Sequence, residues 1–378
     1  MITALDIELH EEVREITKKR LPPLPVDFQA DATSFRNTFI KDEYGEKVLD
    51  FLTEHVDLDN PLNLVVSTTN RFNIINQIGL FESVVNLNRI NDIRFVNKFF
   101  ETVNERLPVG GKFIGCVETK NLRKQRILQK YPKGFNAVYY TLDFILKRVF
   151  PKLPVTKKIY FFLTRGHNRV ISRAETLGRL IASGFEIEEQ RLLNGNLYFV
   201  TRKVKEPLYP EDPTYGLLIK LNRVGKNGKI IKVYKLRTMH PFSEYLQEYV
   251  YDNNNLEKSG KFKNDFRVCT VGRFMRKCWI DELPMFINFF KGELKFVGVR
   301  PISPHYFELY TEELKQWRIK YKPGLFPPYY ADMPKTIEEI MESERRYLEH
   351  YEKNPWMTDF SYFWKVFVNI VFRRARSS

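Results

Sequence analysis

Three prolines within seven residues, Pro207, Pro210 and Pro213, divide the chain. Proline fixes its φ angle and offers no backbone donor, so neither a helix interior nor a central strand runs through such a stretch. Charged residues (Lys205, Glu206, Glu211, Asp212) fill the gaps, which is linker chemistry. We read residues 204–216 as a linker, with enough chain on either side to bury a separate core.

Residues 1–60 read as a helical and turn segment, broken early at Pro22, Pro23 and Pro25. Residues 61–203 carry an α/β pattern. Asn63–Ser67 is a short buried strand, Val84–Leu87 a strand or turn, and Arg94–Leu107 has helical period. Gly110-Gly111 breaks the chain before a strand over Lys112–Val117. A helix over Ser172–Ser183 precedes strands at Gly184–Ile187 and Leu197–Val200, the latter after an Asn194-Gly195 turn. Phe135–Phe150 is strongly apolar with a basic end; Pro151, Pro154 and the run Lys157–Leu163 follow. Two readings fit: a buried helix–strand pair, or a segment lying in a membrane interface with Lys and Arg toward the headgroups.

The formal charge of +15 implies an anionic partner. No nucleic-acid motif accompanies it, so the expected partners are phosphorylated ligands and an anionic membrane surface, not nucleic acid. No run approaches the ~18 apolar residues that read as a spanning helix. Cys116, Cys269 and Cys278 show no zinc spacing and cannot build a disulfide framework, which fits a reducing compartment.

The chemistry concentrates in Arg273–Asn288, around the adjacent acids Asp281 and Glu282. Neighbouring carboxylates repel unless a cation or proton is shared between them. Arg273, Arg276 and Lys277 lie just upstream. Pro284 fits the first turn of a short helix over Met285–Phe290, closed by Gly292. The acids are thereby expected at a helix N-terminus, which favours anions and bound phosphate. Spacing alone leaves two roles open for Asp281: helix cap, or part of a phosphate and divalent-metal site.

Around this stretch, Leu217–Leu221 and Ile230–Leu236 read as a hairpin about Gly225–Gly228, and residues 241–264 as an exposed excursion. In the tail, Ser361, Lys365, Asn369 and Arg373 recur every fourth residue, one polar stripe on an otherwise apolar and aromatic helix. That helix either packs on the protein or lies on a membrane, with Arg373, Arg374 and Arg376 on headgroups.

Two resemblances sharpen these expectations. Over roughly 60–203 the order of elements, with Leu107-Pro-Val-Gly-Gly-Lys-Phe-Ile114 as its break and strand, resembles the second half of a class I (SAM-dependent) methyltransferase domain. The family's glycine-rich loop has no counterpart before Asn63, so a degenerate Rossmann-like domain without cofactor is expected, an active methyltransferase being the alternative. Over about 216–326 four segments resemble the bacterial sugar transferases, the monotopic phosphoglycosyl transferases. They are Asn222–Lys229 with Tyr234–Met239; Asp265–Lys277; Ile280–Glu293; and Val297–Pro301 with Lys322-Pro-Gly324.

The second resemblance implies an α+β transferase domain over 217–378, with the tail as a C-terminal amphipathic helix. It implies transfer of a phosphosugar from a UDP-sugar to polyprenol phosphate, at the inner face of the bacterial membrane. Asp281 would be the nucleophile, and Glu282 with Asp281 would hold Mg²⁺. Lys235, Arg237, Arg273, Arg276 and Arg300 would bind phosphate oxygens, with Pro301 in the element near the nucleotide. A catalytically weak scaffold or nucleotide-sugar-binding protein of polysaccharide assembly is the alternative. The family's re-entrant membrane helix is not found before Leu217, Val299 replaces a proline, and Leu325-Phe-Pro-Pro328 stands where the family has Thr-Gly.

Overall fold

The computed structural model describes residues 26–208, 216–253 and 265–372. It forms two compact units: Met1–Tyr215 with Pro241–Gln247, and Gly216–His240 with Glu248–Ser378.

The first unit opens with helices α1 (Val26–Tyr44) and α2 (Glu46–His55). The strands are β1 (Asn63–Val66), β2 (Ser83–Arg89), β3 (Lys112–Val117), β4 (Phe185–Leu193) and β5 (Asn196–Lys203), in the sheet order β1-β2-β3-β5-β4. The first three are parallel, since α3 (Val96–Glu105) returns the chain between β2 and β3. The last two form a hairpin antiparallel to β3. Its turn is Asn194-Gly195, both at positive φ (46° and 76°), which matches the strand twist. Alternation along β3 sends Phe113 toward Phe100, Phe185 and Phe199 on one face. It sends Ile114 and Cys116 to the other face, against Val48, Phe51 and Leu52 of α2 and Ile40 of α1. The described part of the segment before residue 60 is thus built into the core of the sheet.

Helices α4 (Lys120–Lys130), α5 (Phe135–Phe144), α6 (Pro154–Thr164) and α7 (Arg173–Ala182) complete the unit. A single π turn over Ile145–Val149 extends α5. The run Lys157–Leu163 is therefore helical, and not the strand that the first of its two readings, a buried helix–strand pair, required. Pro154 sets the first turn, and Arg165 (φ 52°) with Gly166 (φ 87°) ends the helix. A short apolar run carries no period that tells strand from helix. Nor is 241–253 an exposed excursion: Phe242, Leu246 and Val250 are buried, and the Arg179 guanidinium lies 4.3 Å from the Phe242 ring centroid. Residues 254–264 fall outside the described residues.

In the second unit, β6 (Leu218–Val224) and β7 (Ile230–Leu236) form an antiparallel hairpin. Helices α8 (Thr270–Lys277) and α9 (Met285–Phe290) follow. Strand β8 (Lys295–Val297) pairs in parallel with β9 (Gly324–Phe326), and α10 (Glu312–Arg318) lies between them in sequence. Three helices close the chain: α11 (Tyr329–Asp332), α12 (Ile337–Lys353) and α13 (Pro355–Val371). The core joins Val297, Val299, Leu314, Tyr347, Leu348 and Tyr362.

Helix α13 buries Thr358, Tyr362, Val366 and Asn369 and exposes Trp356, Phe360, Trp364 and Phe367. The polar stripe expected along it is therefore interrupted. Asn369 is buried and donates to the Tyr330 and Ala331 carbonyls at 3.0 and 2.7 Å, satisfying backbone acceptors beside α11. Arg373, Arg374 and Arg376 lie outside the described residues. Among the described residues no helix is long and apolar enough to cross a membrane.

Strands β8 and β9 approach through glycine. A Cβ on Gly324 would stand 2.1 Å from the Gly298 nitrogen, a distance no side chain tolerates. The Gly324 N–H donates to the Val299 carbonyl at 2.9 Å, locking the crossing just before Arg300. Gly324→Ala is expected to lower the unfolding free energy by about 1–3 kcal/mol, the usual cost of overpacking, read as an earlier urea midpoint.

Candidate active site

Asp281 and Glu282 lie in a single 3-10 turn, Ile280–Glu282, entered from Trp279 in the left-handed region (φ 60°). Helix α9 starts only at Met285, with Pro284 as its N-cap. The acids thus precede the helix by a turn, instead of occupying its N-terminus as the spacing had indicated. The backbone shows why: the Glu282 and Leu283 amides already donate to the Trp279 and Ile280 carbonyls (3.2 and 3.3 Å). Proline at 284 has no N–H with which to continue that turn into the helix.

Buried Asn288 fixes α9 against β7. Its side-chain oxygen accepts from the Tyr234 amide at 3.0 Å, and its NH₂ donates to the Lys232 carbonyl at 2.8 Å and to Glu293 at 2.6 Å. The acids are thereby held to the end of the strand that carries Lys235. Lys235 Nζ donates to Glu282 Oε1 at 2.6 Å, and both side chains are largely buried. Asp281 is only 4% exposed. A buried carboxylate pair requires local positive charge, and lysine supplies one such charge here.

Arg300 supplies a second. Burial alone would lower its pKa, but Tyr330 and then Glu282 hold the guanidinium above its ordinary value. It stands 5.3 Å from the Tyr329 ring centroid. The Tyr330 hydroxyl is pushed up by burial, then by Glu282, with Asp281 adding a smaller push. Its ring centroid lies 4.3 Å from that of Trp279. Arg223 is pulled down by burial and by repulsion from Arg300.

The structure therefore gathers Asp281, Glu282, Lys235 and Arg300 into one cluster, and Pro301, next in sequence to Arg300, is buried. Arg276 donates from Nε to Thr238 Oγ1 at 2.9 Å, just past the end of β7. Arg237 donates from Nε to the Gly216 carbonyl at 3.0 Å. Arg273 is exposed on α8. Three aromatic members, Trp279, Tyr329 and Tyr330, were not expected from the sequence. The one available signal was the departure at Pro327-Pro328, which directly precedes the tyrosine pair.

Behind Arg300 lies a buried ion pair. Arg318 on α10 meets Glu344 on α12 at 3.1 Å, with side-chain exposures of 3% and 1%. Arg318 also donates to the Arg300 carbonyl at 2.6 Å and lies 4.8 Å from the Tyr310 ring centroid. The Arg300 backbone is thus held by a charge that reaches no solvent.

Among the described residues no cluster of three or more His, Cys, Asp or Glu offers a metal cage. The available donors are Asp281 and Glu282, the latter shared with Lys235. Two carboxylates suit Mg²⁺, which takes one or two of them and completes its shell with phosphate oxygens and water.

A hairpin bearing Lys235, a buried acid pair and an arginine braced from behind thus stand together in the second unit. Residues 211–373 match the family described as bacterial sugar transferase. Among similar proteins, Galactosyl transferase CpsE of Streptococcus agalactiae is 38% identical over 134 residues, 34% of this chain and 30% of its own. Undecaprenyl-phosphate galactose phosphotransferase of Salmonella typhimurium is 38% identical over 108 residues, 27% of this chain and 22% of its own. Exopolysaccharide production protein ExoY of Sinorhizobium fredii is 35% identical over 108 residues, 27% of this chain and 47% of its own. The chain thus spans less than half the length of these relatives. An O-methyltransferase family protein from Burkholderia thailandensis aligns with a TM-score of 0.22 at 12% identity, covering 36% of this chain and 34% of that one. A likeness that slight assigns no fold.

Removing one partner of the buried pair behind Arg300 separates stability from positioning. Arg318→Met leaves Glu344 buried and unpaired, at a cost of about 3–5 kcal/mol in urea unfolding. Adding Glu344→Leu is expected to restore most of that stability. Turnover in the transfer reaction proposed below is expected to stay low in the double variant, because the Arg300 carbonyl has lost its donor.

Proposed function

We propose that the second unit transfers a phosphosugar from a UDP-sugar to a polyprenol phosphate, through a covalent aspartyl-phosphosugar. The observation that carries this reading is Asp281, buried beside Glu282 with Lys235 at 2.6 Å from that neighbour and Arg300 alongside. The names of the relatives support the choice of substrates: one is a galactose phosphotransferase of undecaprenyl phosphate, another an exopolysaccharide production protein.

In the first half-reaction a carboxylate oxygen of Asp281 attacks the β-phosphorus of the donor. A new P–O bond forms, the bond from the β-phosphorus to the bridging oxygen breaks, and UMP departs with that electron pair. In the second, a phosphate oxygen of the polyprenol phosphate attacks the same phosphorus. The Asp281–phosphorus bond breaks, restoring the carboxylate and giving a polyprenyl diphosphate sugar. Arg300 offers a planar fork to the phosphoryl oxygens, and Lys235 orients Glu282 while adding a point charge. Asp281 and Glu282 would also hold Mg²⁺, which when bound screens the charge of the diphosphate. Burial of the acids excludes water, which would otherwise hydrolyse the acyl phosphate.

Such chemistry belongs at the inner membrane face, where a polyprenol carrier presents its phosphate. The exposed aromatics Trp356, Phe360, Trp364 and Phe367 on α13 give this unit an apolar surface suited to that location.

Incubation of the protein with Mg²⁺ and a panel of UDP-sugars is expected to release UMP and add one phosphosugar mass to the intact protein. Asp281→Asn is expected to abolish the adduct and cut turnover by about 10³-fold or more, the scale on which a lost nucleophile acts. Turnover unchanged in Asp281→Asn removes the assigned nucleophile. No adduct with any donor favours a binding or scaffold role.

A further inference from the structure

Surface helices ordinarily turn apolar residues inward and polar ones outward. Helices α5 and α6 of the first unit do the reverse. Along α5 and its π turn, Phe135, Val138, Tyr139, Leu142, Ile145 and Leu146 are all exposed. Their spacing of three and four residues places them on one face. On α6 the exposed set is Val155, Ile159, Phe162 and Leu163, again one face, with Val155 75% and Phe162 84% accessible.

The side turned toward the protein is polar. Buried Asp143 accepts two hydrogen bonds from Arg123, at 2.7 and 2.8 Å, and pairs with Lys147 at 3.1 Å. Arg148 donates to the Val170 carbonyl at 2.8 Å and pairs with Glu175. Asn136 donates to the Leu128 carbonyl at 3.0 Å, and Tyr160 to the His167 carbonyl at 3.2 Å. Charge-assisted bonds fasten α5 and its π turn to the unit, and the buried Tyr160 hydroxyl fastens α6, so the exposed apolar residues take no part in the attachment.

Charge identifies what covers the apolar face. From Lys120 to Ile171 the sequence holds thirteen Lys and Arg and a single acid, Asp143, so this stretch carries +12 of the chain's net +15. The one acid is buried against Arg123 and contributes no negative surface. Lys130, Lys133, Lys157, Lys158 and Arg165 are exposed around the apolar face. Two copies meeting through this surface would bring two such charges together, which opposes self-association. An anionic bilayer offers both what the apolar face and what its basic border require: acyl chains beneath acidic headgroups.

We propose that Phe135–Thr164 is a membrane-docking hairpin of the first unit, seating its apolar face in the interface of an anionic bilayer. It lies in a part of the chain outside the family match and does not depend on the chemistry assigned to the second unit.

The full-length protein tests this by co-sedimentation with vesicles of phosphatidylglycerol and phosphatidylcholine, and with vesicles of phosphatidylcholine alone. Strong binding to the first and at least about tenfold weaker binding to the second is expected, since each basic residue near an anionic surface strengthens partition severalfold. The double variant Leu142→Glu/Phe162→Glu is expected to lose binding to both. Lys157→Gln/Lys158→Gln, which leaves the apolar face intact, is expected to weaken only the anionic case. That second variant keeps the test valid if the first folds poorly by circular dichroism. UMP release in detergent should match wild type for both variants, so a failure of docking is distinct from a failure of the transfer chemistry. Wild-type protein that ignores anionic vesicles, or variants that bind as wild type does, would overturn the proposal. So would a wild-type dimer that Leu142→Glu/Phe162→Glu converts to monomer, which would assign the face to a second copy.

Discussion

Two carboxylates side by side and out of water are unstable unless positive charge is brought to them. Much of the second unit is arranged around that requirement. Strand β7 delivers Lys235 to Glu282, and the glycine crossing of β8 and β9 delivers Arg300. The pair Arg318–Glu344 then fixes the arginine's backbone from behind, from two helices distant in sequence. A buried ion pair adds little net stability, because desolvation offsets most of its attraction. Its value here lies in position: a rigid charge directed at a carbonyl defines where the next side chain begins.

The first unit meets a related constraint with the opposite outcome. Its buried charges, Asp143 with Arg123 and Glu175 with Arg148, surround no acid pair and are matched one against another. Burial would push Glu175 up, yet Arg148, Lys152 and Arg179 hold it well below the usual carboxylate range. Those charges are structural fasteners. They free the apolar residues of α5 and α6 from the work of packing.

Much of the architecture was legible in the sequence because it rests on local signals. The strands and the hairpin at Asn194-Gly195 follow from apolar runs bounded by turn residues, and α3 and α7 from their helical period. The acid pair stood out through its spacing, and Lys235 through the family resemblance. What failed to show depends on contacts between residues far apart. Asn288 reads as one more polar residue in an apolar run until Tyr234, Lys232 and Glu293 are seen around it. Asn369 fits a solvent stripe by spacing, yet Tyr330 and Ala331 present carbonyls that draw it inward. Arg318 and Glu344 carry no local mark of burial. The run Lys157–Leu163 misled because five aromatic and aliphatic residues in succession suit either secondary structure, and only the proline three residues earlier favoured the helix.

The latch at Asn288 has a consequence for the protein as a solute. A two-stranded ribbon such as β6–β7 leaves one edge of each strand with unpaired donors and acceptors, an open template for another chain. Asn288 takes both the Tyr234 donor and the Lys232 acceptor on the outer edge of β7. With a single amide side chain it does the work of a third strand. That stretch of the β7 edge, beside the acid pair, is thereby less open to edge-to-edge pairing.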